Sequence, residues 1–173
     1  HRQIESEVRL GALRALLGGR VDGVLAAGGD PAIELARGVG VDAVQVVGFP
    51  VEGPGTDAPL TEFGVLAWSG MLDMIGDPAR EPLRLGGHQA SYAAGMSAFT
   101  AMMALLAGRQ AGRAADVARV SLIETLAWVN WKAVSAAQAT GRSPSRRGAK
   151  AEFQVMRCQA GWIHRQCPGC QRL

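Results

Sequence analysis

Ser91 and His88 are the residues whose types and spacing first suggest chemistry. They follow two glycines, Gly86 and Gly87, and precede a long apolar run. A serine hydroxyl becomes a nucleophile when a base takes its proton, and a nearby histidine is a candidate base. Two residues three apart across a turn seldom form a preorganised pair, and the neighbouring sequence holds no carboxylate that would orient the histidine. A serine hydrolase is therefore the least favoured of the enzymatic hypotheses.

The same glycine turn suggests two other roles. Glycines let the backbone approach a ligand closely, and the helix that follows points free amides outward, which attracts anions. Serine is also a preferred N-cap residue, so Ser91 can simply cap that helix. From the local sequence alone, capping is the favoured interpretation.

Three cysteines and a histidine lie close together near the end of the chain. Cys158, His164, Cys167 and Cys170 have the spacing C-x5-H-x2-C-x2-C, and all four residue types can bind zinc. The stretch is short for a folded zinc site, and no carboxylate lies nearby to orient the histidine. We therefore predict no metal site here. CPGC also lacks the βαβ context of a redox dithiol.

Composition limits the class of protein. The chain has 173 residues, 48% of them hydrophobic and 19% charged, which predicts one folded domain and excludes a disordered chain. We expect no stretch long enough to cross a bilayer, and the first residues lack the features of a signal peptide. These features favour a cytoplasmic protein with no membrane partner.

Charge is distributed unevenly along the chain. Residues 1–90 hold 7 basic and 12 acidic side chains, whereas residues 91–173 hold 11 basic and 3 acidic ones. The basic excess lies largely in RSPSRRGAK and the tail, where a solvated linker is favoured over an anion-binding surface. The arginines lack the interleaved aromatic residues of a nucleic-acid platform, so no nucleic-acid partner is expected.

The elements that would position the glycine turn begin with a βαβ unit. Apolar runs of strand length lie at residues 21–27 and 41–49. Between them, Asp30 can cap a helix, Pro31 fits its first turn and Gly38 can end it. Two strands joined by a helix predict a parallel pair with a right-handed crossover.

Further elements follow this unit. Residues 50–60 predict a surface loop at the carboxyl end of the second strand, where open α/β sheets bind ligands. A helix is predicted from Thr61 to about Ser69, broken at Gly70. Beyond a second loop, the long helix carries a stripe that predicts core packing. Its members are Met96, Phe99, Thr100, Met103 and Leu106.

The last predicted helix starts at a capping box. Ser121 can accept a hydrogen bond from the amide of Glu124, and the sequence then favours one helix of about five turns ending near Gly141. Trp128 and Trp131 lie three apart and should face one direction, towards a helical neighbour in the core or a partner subunit.

Several longer motifs together resemble a known family. The stretch from Leu66 to Arg113, with the pattern S-G-x5-G-x-P and a glycine at Gly95, is followed by VSLIETL. It is similar to the central part of the class III CoA-transferases, the family of formyl-CoA transferase and carnitine CoA-transferase. VVGFPVEGPG and MRCQAGWI resemble two further family segments, so the resemblance covers about residues 21–163.

The resemblance implies chemistry on acyl-CoA thioesters, with coenzyme A thioester as a substrate and no permanently bound cofactor. In the family, an aspartate carboxylate attacks the thioester carbonyl and carries the acyl group as a mixed anhydride until an acceptor carboxylate exchanges it. That aspartate lies four residues before the glycine that matches Gly95, so its position here is Ser91. Glu62 and Asp73 are the nearest acidic residues in sequence, and no pattern places either beside Ser91.

The family's CoA-binding segments also match in part. Gly86 and Gly87 match the glycine loop beside the family's active site, and His88 follows them. Gly28 and Gly29 stand where the family has an N-F-R-P-G stretch whose arginine helps to hold CoA. Asp30 occupies the place of that cation, and its charge would repel a phosphate.

We therefore predict an α/β fold with a partial parallel, Rossmann-like sheet, flanking helices and a helix-rich second half. Residues 1–141 would form a fragment of a CoA-transferase-like large domain, and residues 142–173 a basic linker and an atypical tail. The expected activity transfers CoA between an acyl-CoA and a carboxylic acid, with or without a partner subunit in a homo- or heterodimer. The alternative is a non-catalytic subunit or scaffold of a CoA-transferase complex.

Overall fold

The computed structural model describes residues 11–19, 21–50, 61–146, 153–158 and 161–166, and every structural statement below concerns these residues. In chain order the elements are α1 (residues 11–17), β1 (Gly23–Ala27), α2 (Pro31–Val39), β2 (Asp42–Val47), α3 (Glu62–Trp68), a 3₁₀ helix (Met71–Met74), α4 (Gln89–Gln110), β3 (Val117–Ser121), α5 (Leu122–Val129), α6 (Trp131–Thr140), β4 (Phe153–Cys158) and β5 (Gly161–Gln166).

A three-stranded parallel sheet organises the chain. The strand order is β1-β2-β3, with Val24 opposite Ala43 and Val44 opposite Ala118. The βαβ unit predicted from the first half is confirmed as β1-α2-β2. The predicted α/β class is confirmed with it. β4 and β5 form a separate antiparallel hairpin.

Helices cover both faces of the parallel sheet. β2 lies in the middle, and its successive side chains point to opposite faces. Ala43 packs with Ile33 of α2 on one face. Val44 packs with Ala98 and Leu105 of α4 on the other. Parallel sheets are typically buried on both faces in this way.

The start of α2 follows the sequence prediction, but its end does not. The Asp30 side chain accepts a hydrogen bond from the Ala32 amide at 2.8 Å, and Pro31 occupies the first turn. The helix continues through Gly38 and ends at Gly40, whose φ of 73° is left-handed. The predicted end at Gly38 is therefore wrong by two residues, because the second glycine supplies the left-handed C-cap.

α4 buries a different face from the one predicted. Its buried residues are Ala90, Ala94, Ala98 and Leu105. Of the predicted core stripe, Met96, Phe99, Thr100 and Met103 are exposed and Leu106 is half-buried. The prediction was wrong because the alanine face, whose small side chains allow a close approach, packs on the sheet instead.

The contact between α4 and β1 shows how closely the helix lies. A Cβ atom added to Gly23 would fall 2.5 Å from the Met102 sulfur, so a side chain at this strand position would have to displace the Met102 thioether. Glycine in a strand commonly marks such an approach.

The length and composition of α4 also differ from expectation. It has 22 residues, and a window within it has a mean hydropathy of 1.4, so by length and composition alone it could cross a membrane. This differs from our expectation that no stretch of the chain is long enough to cross a bilayer. In this structure α4 packs against all three strands of the parallel sheet.

The single long helix predicted after Ser121 is two helices. Ser121 accepts a hydrogen bond from the Glu124 amide as predicted, and Gly141 ends the last turn with a φ of 68°. Between them, α5 ends and α6 begins at Asn130. Trp128 and Trp131 are 74% and 55% exposed, so the first of the two predicted environments, the core of this chain, is wrong, and the partner subunit stays a prediction.

Arg146 contradicts the expectation of a fully solvated linker. Its guanidinium is buried and donates hydrogen bonds to the carbonyl oxygens of Asp73, Asp77 and Arg80, and it also pairs with the Asp73 carboxylate. The segment after α6 is thereby held against the 3₁₀ helix and the loop that follows it. The proposed boundary between residues 141 and 142 stays a prediction.

Candidate functional site

The start of α4 lies at the carboxyl edge of the parallel sheet. Ala90 and Ala94 belong to a cluster that also contains Leu122, at the start of α5, and Val46 near the end of β2. At the other end of the helix, Arg109 reaches Asp42 at the beginning of β2. α4 therefore runs antiparallel to the strands and begins at the edge where open α/β sheets bind ligands.

α3 presents Glu62 to the start of α4. Thr61 caps α3 by accepting a hydrogen bond from the Gly64 amide at 3.0 Å, which makes Glu62 the first residue of the helix. Val65 and Leu66, one turn later, are fully buried in the cluster that holds Ala90. This packing fixes the direction in which Glu62 points.

The Glu62 carboxylate makes three hydrogen bonds at the start of α4. Oε1 accepts from the Ala90 amide at 2.7 Å, and Oε2 accepts from the Ser91 amide at 3.2 Å. The Ser91 hydroxyl donates to the same Oε2 at 2.6 Å. An O–H···O⁻ contact of this length is a charge-assisted hydrogen bond. The carboxylate also stabilises the helix, because it satisfies amides at the positive end of the helix dipole.

This contact corrects two interpretations of Ser91. The N-cap residue of α4 is His88, which makes no side-chain capping bond, and Ser91 lies in the first turn. Ser91 therefore does not cap the helix; Glu62 does so from another element. His88 is not its partner either, because the Ser91 hydroxyl donates to Glu62. The His88 imidazole instead lies edge-on to Tyr92, with ring centroids 6.5 Å apart.

No pattern in the sequence brings Glu62 near Ser91. The two residues are 29 positions apart, and their proximity depends on how α3 packs against α4 and α5. Two signals in the sequence point the right way. Glu62 directly follows a residue that can cap a helix, and the N-terminus of α4 lacks an acidic side chain of its own.

The predicted CoA-binding glycines lie in two turns. Gly87 has a φ of 75° and precedes α4 directly, while a Cβ on Gly86 would meet open space. Gly28 and Gly29 follow β1, at the carboxyl edge of the sheet. Gly29 has a φ of 80°, and a Cβ on Gly28 would fall 2.9 Å from Val47 Cγ1. Each turn therefore needs a glycine at its left-handed position, Gly87 or Gly29, whether or not a ligand binds there.

Other predicted features fall on parts of the chain with no described side chains. Cys167, Cys170 and the loop at residues 51–60 lie outside the described residues, as do the side chains of Cys158 and His164. Within the described part of the chain, no three His, Cys, Asp or Glu residues are grouped so that they could hold a metal ion.

Solved structures resemble the chain in fold. A CaiB/BaiF family protein from Brucella suis matches with a TM-score of 0.74 and 22% identity, covering 88% of this chain and 44% of that one. A hypothetical protein from Mycobacterium tuberculosis matches with a TM-score of 0.67 and 19% identity, covering 87% of this chain and 42% of that one. The chain thus spans less than half the length of these proteins. Comparison with curated proteins finds no match.

Sequence comparison with protein families gives one assignment. The model of CoA-transferase family III matches residues 43–171, which include α3, the glycine turn before α4 and Ser91. The match also takes in most of the tail, although the residues after Ile163 showed no family motif. The parallel sheet, the helices on both of its faces and this match together show that the chain belongs to CoA-transferase family III.

Proposed function

We propose that the chain is part of a CoA-transferase-like protein of acyl-CoA metabolism, which transfers CoA between an acyl-CoA thioester and a carboxylic acid. The observation that carries this proposal is the family match across residues 43–171, whose span includes the start of α4. The structure supports it by placing that helix start, with the Ser91 hydroxyl exposed, at the carboxyl edge of the sheet.

The proposed binding surface comprises the two glycine turns at this edge. Gly86, Gly87 and His88 would lie beside the thioester, and Gly28 and Gly29 beside the nucleotide part of CoA. Asp30 caps α2 through the Ala32 amide, and its charge would repel a phosphate at that helix start, so the nucleotide would have to bind to the glycines rather than to the helix. CoA is a substrate in this scheme, and no permanently bound cofactor is needed.

A dimer in the cytoplasm fits the same proposal. Trp128 and Trp131, which are exposed and lie on either side of Asn130, supply an apolar surface for a partner subunit. Exposed aromatic side chains are enriched at subunit interfaces.

The test is CoA exchange between acetyl-CoA and isotopically labelled acetate, and then between a panel of short acyl-CoAs and carboxylic acids. The protein is assayed alone and with candidate partner subunits, and labelled acyl-CoA is followed by mass spectrometry. We expect Ser91→Asp to raise the exchange rate and to give an acyl-enzyme that neutral hydroxylamine cleaves, because a carboxylate there can form a mixed anhydride.

Ser97→Asp is the matched control, since it places the same new charge on α4 away from the start of the helix. It should leave the exchange rate unchanged. Absence of exchange by the protein and by Ser91→Asp, in every combination with partners, would contradict the proposal and would favour a non-catalytic subunit.

A further inference from the structure

We infer that Glu62 is the general base that makes Ser91 a nucleophile, so that this chain carries the acyl group as a serine ester. The inference rests on the proposed function, because it takes the acyl group from a CoA thioester. In this inference Glu62, and not the histidine considered from the sequence, is the base that takes the Ser91 proton. The exposed Ser91 hydroxyl is the group that attacks the thioester.

The geometry meets the requirement for a base and its nucleophile. A general base must lie within about 2.6–3.2 Å of the atom whose proton it takes. Glu62 Oε2 lies 2.6 Å from Ser91 Oγ. Activated nucleophiles also need a base that is itself oriented by another group. Here the Ala90 amide holds Glu62 Oε1 at 2.7 Å, and the buried side chains of Val65 and Leu66 fix the helix that carries it.

Glu62 fits the role of base better than that of nucleophile. Its Oε1 accepts one hydrogen bond and its Oε2 accepts two. Attack by either oxygen would break a hydrogen bond that caps the first amides of α4. Ser91 Oγ, by contrast, donates its proton to Glu62 and keeps its lone pairs for a carbonyl carbon. Ser91 is also exposed, whereas Glu62 is half-buried behind it.

The proposed step balances without any further reagent. Ser91 Oγ forms a bond to the thioester carbonyl carbon while its proton passes to Glu62 Oε2. The carbon–sulfur bond then breaks, and CoA leaves as the thiolate, which takes the proton from Glu62. The products are an acyl ester on Ser91 and CoA with a free thiol, and Glu62 returns to its carboxylate form.

The intermediate differs from an anhydride in a measurable way. An oxygen ester is less readily exchanged than an anhydride, so the acylated protein should accumulate. It should also resist neutral hydroxylamine and be cleaved by alkaline hydroxylamine. Loss of a general base typically costs about 10²–10⁴-fold in rate, which sets the effect expected for Glu62→Gln.

The experiment uses two kinds of reagent with the intact chain, a serine probe and acyl-CoA thioesters. A fluorophosphonate probe labels activated serine hydroxyls and needs no CoA-binding site, while acetyl-CoA and octanoyl-CoA test the thioester reaction. The acylated residue is identified by peptide mass spectrometry. The variants are Ser91→Ala, Glu62→Gln and the control Glu34→Gln, which makes the same change in the first turn of α2, away from the site.

We expect the probe and the thioesters to modify Ser91 in the unchanged chain and in Glu34→Gln. Ser91→Ala should abolish modification, and it keeps the Glu62 cap on the helix amides, so loss of folding is not a concern for that variant. Glu62→Gln should slow labelling by about 10²–10⁴-fold. Its circular dichroism spectrum should match that of the unchanged chain.

Three results would overturn the inference. The first is a probe that leaves Ser91 unlabelled in the folded, unchanged chain. The second is labelling of Ser91 at the same rate after Glu62→Gln. The third is acylation of a carboxylate instead of Ser91, which would refute the ester while leaving the proposed function intact. Conversely, Glu62-dependent probe labelling with no reaction towards either thioester would support the pair and count against the acyl-CoA function.

Discussion

Each end of α4 meets a carboxylate that belongs to another element, Glu62 of α3 at its start and Asp42 of β2 at its end. Glu62 accepts three hydrogen bonds and lies beside an exposed hydroxyl. Asp42 is 1% exposed, and its Oδ1 accepts the Asp116 amide at 2.9 Å. Its Oδ2 has no hydrogen-bond donor in the described part of the chain and lies 3.8 Å from the Arg109 guanidinium.

The difference separates a structural carboxylate from one suited to chemistry. Asp42 is enclosed, and its Oδ2 faces the Arg109 guanidinium at 3.8 Å, a cation that balances its charge but offers no group to activate. Glu62 instead contacts a hydroxyl that a substrate can reach. A carboxylate at a helix end is therefore not a functional signal by itself. What matters is whether an accessible group with a transferable proton lies within hydrogen-bonding distance.

Replacing Asp42 should have the largest effect on stability of the changes considered at the two ends. Asp42→Ala leaves the partly buried Asp116 amide without its acceptor, and we expect the free energy of unfolding to fall by about 2 kcal/mol. Urea unfolding followed by circular dichroism measures this loss. Glu34→Ala, at a side chain that is 69% exposed and is paired with Arg37 on the surface of α2, is the control and should cost less than about 0.5 kcal/mol. Equal losses of unfolding free energy in Asp42→Ala and in the control would show that the enclosed Asp42 carboxylate has no special structural role.

Replacing Glu62 should destabilise the protein less than replacing Asp42. Glu62→Ala removes the acceptor for two amides of α4, a loss comparable to that of an N-cap, which costs about 1 kcal/mol. The same unfolding measurement applies. Ser91→Ala keeps both hydrogen bonds from the helix amides to Glu62. It should therefore lower the free energy of unfolding by clearly less than Glu62→Ala does. A larger loss for Ser91→Ala than for Glu62→Ala would show that the hydroxyl, and not the carboxylate, holds the helix start.

Removing the cation at the end of α4 should have the smallest effect. Arg109 is 43% exposed and makes no hydrogen bond to Asp42 at 3.8 Å, so screening by water keeps the pair weak. Arg109→Met should lower the free energy of unfolding by about 0.5 kcal/mol. The difference from the unchanged chain should shrink when the salt concentration rises towards about 1 M, because salt screens the pair. A loss that is insensitive to salt would mean that Arg109 acts through packing.

Much of the fold could be predicted from local sequence. Asp30 followed by Pro31, the capping serine at Ser121 and the glycine at Gly141 each specify a helix end through a bond or a φ value that depends on neighbouring residues. The two apolar runs likewise indicate β1 and β2, because a run of strand length is a local feature of the sequence. These features need no knowledge of what packs against them.

The buried face of α4 and the site could not be predicted in this way. α4 is apolar on both faces, so hydrophobicity did not show which face meets the sheet, and the alanine face was overlooked. Ser91 was correctly singled out as the position to examine, but its partner comes from a helix that starts 29 residues earlier. Proximity between distant segments is set by packing, which a single sequence does not display.

Arg146 donates chiefly to main-chain oxygens, those of Asp73, Asp77 and Arg80. Every amino acid offers such an oxygen, so mutation of Asp77 or Arg80 to another residue type leaves the acceptor in place. The loop can therefore change in sequence during evolution and still keep its backbone conformation. Replacement of the single arginine would remove all three hydrogen bonds at once. A comparison of related genes should find the arginine retained where the loop residues vary.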